Sequence, residues 1–329
     1  MASPVPLAPS GEPLSRYAPR SILAPVVVLV TCLAMSVAGW RYTDQLTEDL
    51  ARSRFEARVS EISMAIDDRM AAYELALRGG LALFSSVGEV SRAQWRDYVG
   101  KLNLLQNYPG IQGMGYAVVV PPAERQKHTE DIRREGFPDY TMSPPGERAV
   151  YTAIVYLEPF DLRNKRAFGF DMFSDPTRRA AMERSRDTGR TSISARVTLV
   201  QETTEGVQVG FLMYMPFYAP EAPIYTDGDR RAALRGYVFS PFRMNNFMLG
   251  IVGKTISGLG LEIHDGGQKT EQNLMFRSQG QALDTASDRR PLFTSTRELT
   301  ISGRTWTLTF RSLPGFEATL DHTVPLLVL

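Results

Sequence analysis

Residues 167–189 read AFGFDMFSDPTRRAAMERSRDTG, and a strand feeding directly into a helix there decides the fold class. Phe168, Phe170 and Met172 alternate with Gly169 and Asp171, the period of a strand with one apolar face. Ser174 and Asp175 offer N-cap oxygens, Pro176 suits the first helical position, and Gly189 can take the left-handed conformation that ends a helix. The spacing therefore predicts a strand over 167–172 and a helix from Pro176 to about Asp187. Along that helix Ala181, Ser185 and Thr188 are the small inward candidates, while Arg178, Arg179, Glu183, Arg184 and Arg186 are better placed in water. An ordinary connection between strand and helix reads the same way, so function has to come from the surrounding chain.

Around this unit, further strands are expected at 115–120, 150–157, 191–200 and 207–218, with a charged helix opening at Pro121 and Pro122 and stopping at Gly136. Residues 219–229, APEAPIYTDGD, read as a loop, after which a strand resumes at 233–241 and a short helix at 242–249. A second strand set follows at 259–264, 273–277 and 292–313, the last bent into a hairpin at Ser302 and Gly303. Short strands with a few inserted helices are the pattern of an α+β fold on antiparallel sheets, here two stacked sheet units.

Before the sheets lies a different kind of sequence. Residues 1–20 carry five prolines and read as a disordered cytoplasmic tail. Residues 21–40, SILAPVVVLVTCLAMSVAGW, contain no ionisable group except the Cys32 thiol and match the length a helix needs to cross a bilayer. A retained transmembrane helix fits better than a cleaved signal peptide, whose apolar region is shorter. Residues 41–84 then continue as a stalk helix, in which Phe55, Val59, Ile62, Ile66, Met70, Tyr73 and Leu77 recur at steps of three and four. That stripe can pack on its own domain or on a second copy, so a homodimer through the stalk is one expectation. Ser91 and Gln94 form a capping box for a second helix to about Leu105. The closing run DHTVPLLVL at 321–329 predicts the first turn of a second membrane span.

Composition narrows function by exclusion. The 329 residues are 43% hydrophobic and 22% charged with a formal net charge of +1, which provides no broad electrostatic footprint for nucleic acid. The single cysteine excludes an intramolecular disulfide and a cysteine metal cluster. His128, His264 and His322 are far apart in sequence and read as surface or capping residues, with no metal or cofactor expected. No nucleophile elbow or phosphate loop is present. A tethered hydrolase would need such a set, and a module that only dimerises would need none. What remains is a concentration of aromatic and flexible side chains such as Tyr151, Tyr156, Phe170, Phe211, Met213 and Tyr214, with polar groups at Asp171, Arg178 and Ser194. Sheet cores and small-ligand pockets are both lined in this way.

The runs YPGIQGMGYAVVV from Tyr108, GFDMFSDPTRRAAMERSRDTG from Gly169, SARVTLVQ from Ser194 and GFLMYMPFY from Gly210 resemble the CHASE family. These are extracellular sensory domains found ahead of histidine kinases and nucleotide cyclases in bacteria and in plant cytokinin receptors. The resemblance implies two PAS-like subdomains behind the stalk, residues 85–232 membrane-distal and ligand-binding, residues 233–320 membrane-proximal, with the output module beyond the second span. It also implies a pocket among Tyr151, Phe170, Asp171, Arg178, Ser194, Val200, Phe211 and Tyr214. In cytokinin-binding members an aspartate seven positions after the one matching Asp171 contacts the adenine ring. Here that position is Arg178, a donor-only cation, so the expected ligand is an anionic small molecule.

Overall fold

The computed structural model describes residues 20–202, 206–253, 256, 258–278 and 290–319. The expected tail at 1–19 and exit helix at 321–329 lie outside the described residues, as does His322. Two compact units meet after Ser53 in the sequence, and the larger, Arg54–Thr319, holds both sheets.

Helix α1 spans Arg20–Val87 and includes both the apolar segment and the stalk. Its apolar part contains an 18-residue window of mean hydropathy 2.1 with none of it buried, long and apolar enough to cross a membrane. Further along, every residue of the expected stripe from Phe55 to Leu77 is buried. The stripe packs in cis: the Phe55 ring lies 5.7 Å from Phe293 and 6.0 Å from Phe316, and Tyr73 lies 5.0 Å from Phe242. Gly88 ends the helix with φ +81°, its N–H donating to Phe84 O at 3.0 Å. Helix α2, Arg92–Leu102, begins at the capping box read from the sequence, with Ser91 and Gln94 satisfying each other's amides.

The first sheet contains β1 (Met114–Val120), β2 (Tyr151–Glu158), β3 (Ser192–Ile193), β4 (Val197–Thr198), β5 (Val209–Tyr218) and β6 (Leu234–Arg243). Its order is β2-β1-β6-β5-β3, with β4 also on β5, and every pairing is antiparallel. Helix α3 (Leu104–Asn107) precedes β1, and α4 (Arg125–Arg134), α5 (Pro176–Thr188) and α6 (Asp227–Ala233) lie between these strands in sequence. After α7 (Met244–Val252) comes the second sheet, β7 (Leu259–Asp265), β8 (Leu274–Arg277), β9 (Thr294–Ile301) and β10 (Arg304–Ser312), ordered β8-β7-β10-β9, and then α8 (Pro314–Glu317). The fold is α+β, a long N-terminal helix followed by two antiparallel sheets.

Four expectations are corrected. Residues 167–172 form no strand: Gly169 takes φ +80°, Phe170 N–H turns back to Ala167 O at 3.0 Å, and only Phe170 and Asp171 make isolated bridges. The apolar alternation is nonetheless used, since Phe168 joins Phe137, Tyr140 and Phe160 in one aromatic cluster while Phe170 packs on the core under α5. The strand expected at 191–200 is broken into β3 and β4. The loop at 219–229 ends in α6, whose capping box pairs Thr226 with Asp229. Finally, β6 lies inside the first sheet between β1 and β5, so the second unit opens at β7 and not at residue 233. Strand order is a matter of long-range pairing, which local periodicity does not encode.

Candidate functional site

The candidate site lies where α5 covers one face of the first sheet. Asp175 caps α5, its Oδ1 accepting Arg178 N–H at 2.8 Å, and Pro176 opens the first turn. Gly189 closes it at φ +67° with its amide on Ser185 O. Ala181 and Ser185 are buried inward, as their small size predicts, and Ser185 Oγ donates to Arg190 O at 2.9 Å. Helix and sheet enclose Met172, Met182, Tyr214, Tyr237 and Phe239, all fully buried, so this face is a closely packed core.

Arg178 departs from the simple amphipathic reading, which left it in water. It is 5% exposed. Its Nη1 pairs with Asp175 at 2.9 Å, its Nη2 donates to Thr198 O at 2.8 Å, and its guanidinium lies 5.3 Å from the Phe170 ring centroid. The cation is thus held between the start of α5, β4 and the irregular segment before the helix. Tyr214 is fully buried, and its hydroxyl reaches Met172 Sδ at 3.6 Å. Burial raises its pKa, with the neighbouring Arg178 opposing, so the phenol stays neutral and able to donate. Val200 and Phe170, both half-buried, pack against the same core.

Next to this group stands a second polar cluster. Asp171 is fully buried, and its Oδ1 accepts from Thr152 N–H at 2.8 Å and from Phe173 N–H at 3.1 Å. Its Oδ2 receives no protein hydrogen bond and faces Arg148 Nε at 3.4 Å. Tyr151 anchors the loop that brings Arg148 over, its hydroxyl donating to Gly146 O at 2.9 Å and accepting from Arg148 N–H at 3.2 Å. Arg148, Thr152 and Asp175 therefore stand in contact with the expected residues although the sequence reading gave them no binding role. Arg148 sits in the turn-forming stretch MSPPGER, where only turn chemistry was legible.

Two expected residues stand apart. Ser194 is fully buried and used by the backbone, accepting from Leu212 N–H at 3.0 Å and donating to Ala195 O at 2.8 Å. Phe211 is three positions from Tyr214 on β5, so the two side chains leave opposite faces of the sheet. Its ring stacks on Phe242 at 4.7 Å and meets Trp306 of β10 at 5.2 Å. It joins the first sheet to the second and does not approach Arg178. His264, expected at the surface, is buried on β7. Among the described residues no group of three or more His, Cys, Asp or Glu side chains is placed to hold a metal ion.

Comparison with known proteins gives the family. The model of the CHASE domain matches residues 88–276, more than half of the chain. No curated protein matches it. Among solved structures, an extracellular ligand binding receptor from Desulfohalobium retbaense DSM5692 is similar at 10% identity and a TM-score of 0.49, covering 79% of this chain and 40% of that one. The ligand binding domain of the Pseudomonas aeruginosa PAO1 amino acid chemoreceptor PctC, solved in complex with GABA, is similar at 12% identity and a TM-score of 0.41, covering 81% of this chain and 100% of that one. This chain thus spans 40% of the first structure's length. The match over residues 88–276, more than half of the chain, makes it a member of the CHASE domain family.

Proposed function

We propose that this chain is the extracytoplasmic small-molecule sensor region of a membrane-anchored receptor, with ligand taken on the α5 face of the first sheet. The observation that carries the reading is the CHASE match over 88–276, directly following a helix whose N-terminal part is apolar and unburied. In this reading the apolar segment is a span in the cell membrane, the first sheet unit is membrane-distal and the second membrane-proximal. In this reading ligand binding is transmitted through the stalk helix to a cytoplasmic output module, and no catalysis is required of the chain itself.

The binding set is Tyr151, Phe170, Asp171, Arg178, Val200 and Tyr214, joined by Arg148. The anionic reading rests on the cation at position 178. Asp175 matches the charge of Arg178 and Asp171 that of Arg148, so an acid would bind by taking the place of one of these carboxylates. Because the side chains between α5 and the sheet fill the space, ligand must displace some of them and so favours a second arrangement of α5 over the first. A ligand indifferent to the two arrangements would signal nothing.

The test uses the full chain in lipid nanodiscs and measures thermal stabilisation by succinate, citrate and inorganic phosphate beside the purine trans-zeatin. An acid should raise the melting temperature, and Tyr214→Phe with Arg178→Lys should remove that rise while both variants fold. Stabilisation by the purine alone would overturn the anionic reading. The closely packed α5 face favours a second reading, an assembly module without a small ligand. Since the stripe from Phe55 to Leu77 packs in cis, a partner helix would have to use the other side of α1, where Met64 and Leu75 are exposed. No stabilisation by any small molecule, together with a dimer broken by Leu75→Glu, would establish that alternative.

A further inference from the structure

The opposite face of the first sheet carries a cavity. About 460 Å³ of space opens between the last turn of α1, the link to α2, helix α4 and strands β1, β2 and β5. That volume falls in the range of small-ligand sites. Phe84, Tyr116, Tyr156 and Phe217 form its aromatic wall, with centroid separations from 4.3 Å for Phe84 and Tyr116 to 6.4 Å for Phe84 and Tyr156. The cavity is open on its outer side, and Phe84, Tyr116 and Phe217, only 4%, 7% and 7% exposed, lie at its floor.

The polar groups of this cavity are unevenly committed. Tyr156 O–H donates to Val90 O at 2.7 Å, and Tyr116 O–H donates to Arg235 O at 3.3 Å. His128 Nε2 is engaged with the Tyr140 hydroxyl at 2.9 Å, and burial lowers its pKa against the pull of Asp131 and Glu135, so it brings little positive charge. The nearby cation, Arg92, is neutralised by Glu135 at 2.8 Å. Glu89 lines the cavity, is exposed, and has neither an ion pair nor a hydrogen bond among the described residues. An unpaired carboxylate beside the negative faces of several aromatic rings is an environment for a cation with an apolar body.

We propose that this cavity is a second ligand site, distinct from the α5 face, and that it takes a small aromatic amine in its protonated form. The ring lies against Phe84, Tyr116 and Phe217, and the ammonium donates to Glu89. The site belongs in part to α1 itself, through Phe84, and to the Gly88–Val90 link, so an occupant bears directly on the end of the stalk helix.

The probe is 2-phenylethylamine, titrated calorimetrically into the full chain in nanodiscs, with phenylacetate and 2-phenylethanol as the acidic and neutral counterparts. The amine should bind at one site per chain, and the acid should not. Glu89→Gln should weaken amine binding about tenfold, the scale of one charged hydrogen bond. Glu89→Lys should reverse the preference, admitting phenylacetate and excluding the amine, a result that a merely misfolded variant would not give. Val118→Trp, which extends from the β1 floor into the cavity, should abolish binding. Saturable binding that ignores both Glu89 substitutions would overturn the proposal, as would equal affinity for amine and acid or no binding of the amine at millimolar concentration.

Discussion

Arg178 shows how a single side chain changes meaning between sequence and structure. On a helical wheel it is one of six charged residues on α5. In the folded chain it is buried with Asp175, the Thr198 carbonyl and the Phe170 ring as its partners. Removing one member of such a group leaves the other carboxylate or carbonyl poorly satisfied, so Arg178→Ala should destabilise the chain by about 3 kcal/mol, read from the urea midpoint. Arg178→Lys keeps the charge and should cost less, which makes it the sounder probe of ligand binding. At Tyr214 the hydroxyl has only the Met172 thioether within reach, so Tyr214→Phe should change stability by less than about 1 kcal/mol in the same measurement. A larger loss would mean that the phenol is bonded more strongly than its geometry shows.

At the scale of elements, α5 was the most legible part of the chain because its ends are local chemistry. Asp175, Pro176 and Gly189 mark them within a few residues of sequence, and the helix follows those marks. Its neighbour α6 was missed although Thr226 and Asp229 form the same kind of cap, since seven residues give too little periodicity to outweigh a proline-rich loop. The two helices are joined through Asp187, which Arg231 and Arg186 hold by hydrogen bonds, Arg231 more strongly. These bonds lower the Asp187 pKa below its ordinary 3.8. A lowered pKa in the folded state contributes stability above the unfolded value, and that contribution is lost as pH falls. Wild-type protein should therefore be more stable than Asp187→Asn at pH 7, and the difference should shrink as pH falls below about 4 towards the depressed value. A difference that stays constant across that range would remove the ionic explanation.

Over the whole molecule, the stalk holds both sheets by one face. Phe55 touches Phe293 and Phe316 beside the second sheet, while Tyr73 and Phe84 meet Phe242 and Tyr116 of the first. Phe55→Ala should cost about 3–5 kcal/mol, the usual effect of emptying a fully packed aromatic site, measured by urea unfolding with Trp306 fluorescence. At the surface of the same contact, Glu56 pairs with Arg297 of β9 at 2.6 Å, both side chains about two-fifths exposed. A double-mutant cycle on this pair should return less than about 1 kcal/mol. The sheets are also joined directly, Ile193 N–H meeting Ser302 O at 3.3 Å at the turn between β9 and β10.

The sequence by itself determined what depends on neighbours a few residues apart. It marked the apolar segment, the stalk stripe, the caps of α2 and α5, most strands, and the motifs that resemble CHASE. Tertiary structure decided what depends on distant neighbours: β6 in the first sheet, the stripe packing in cis, Phe211 and Tyr214 on opposite faces, and Arg178 and Asp171 buried against cationic or anionic partners. The physical reason is that helix ends and amphipathic faces are set by short-range hydrogen bonding and periodicity, whereas strand order and the partner of a charge are set by which segments exclude water together.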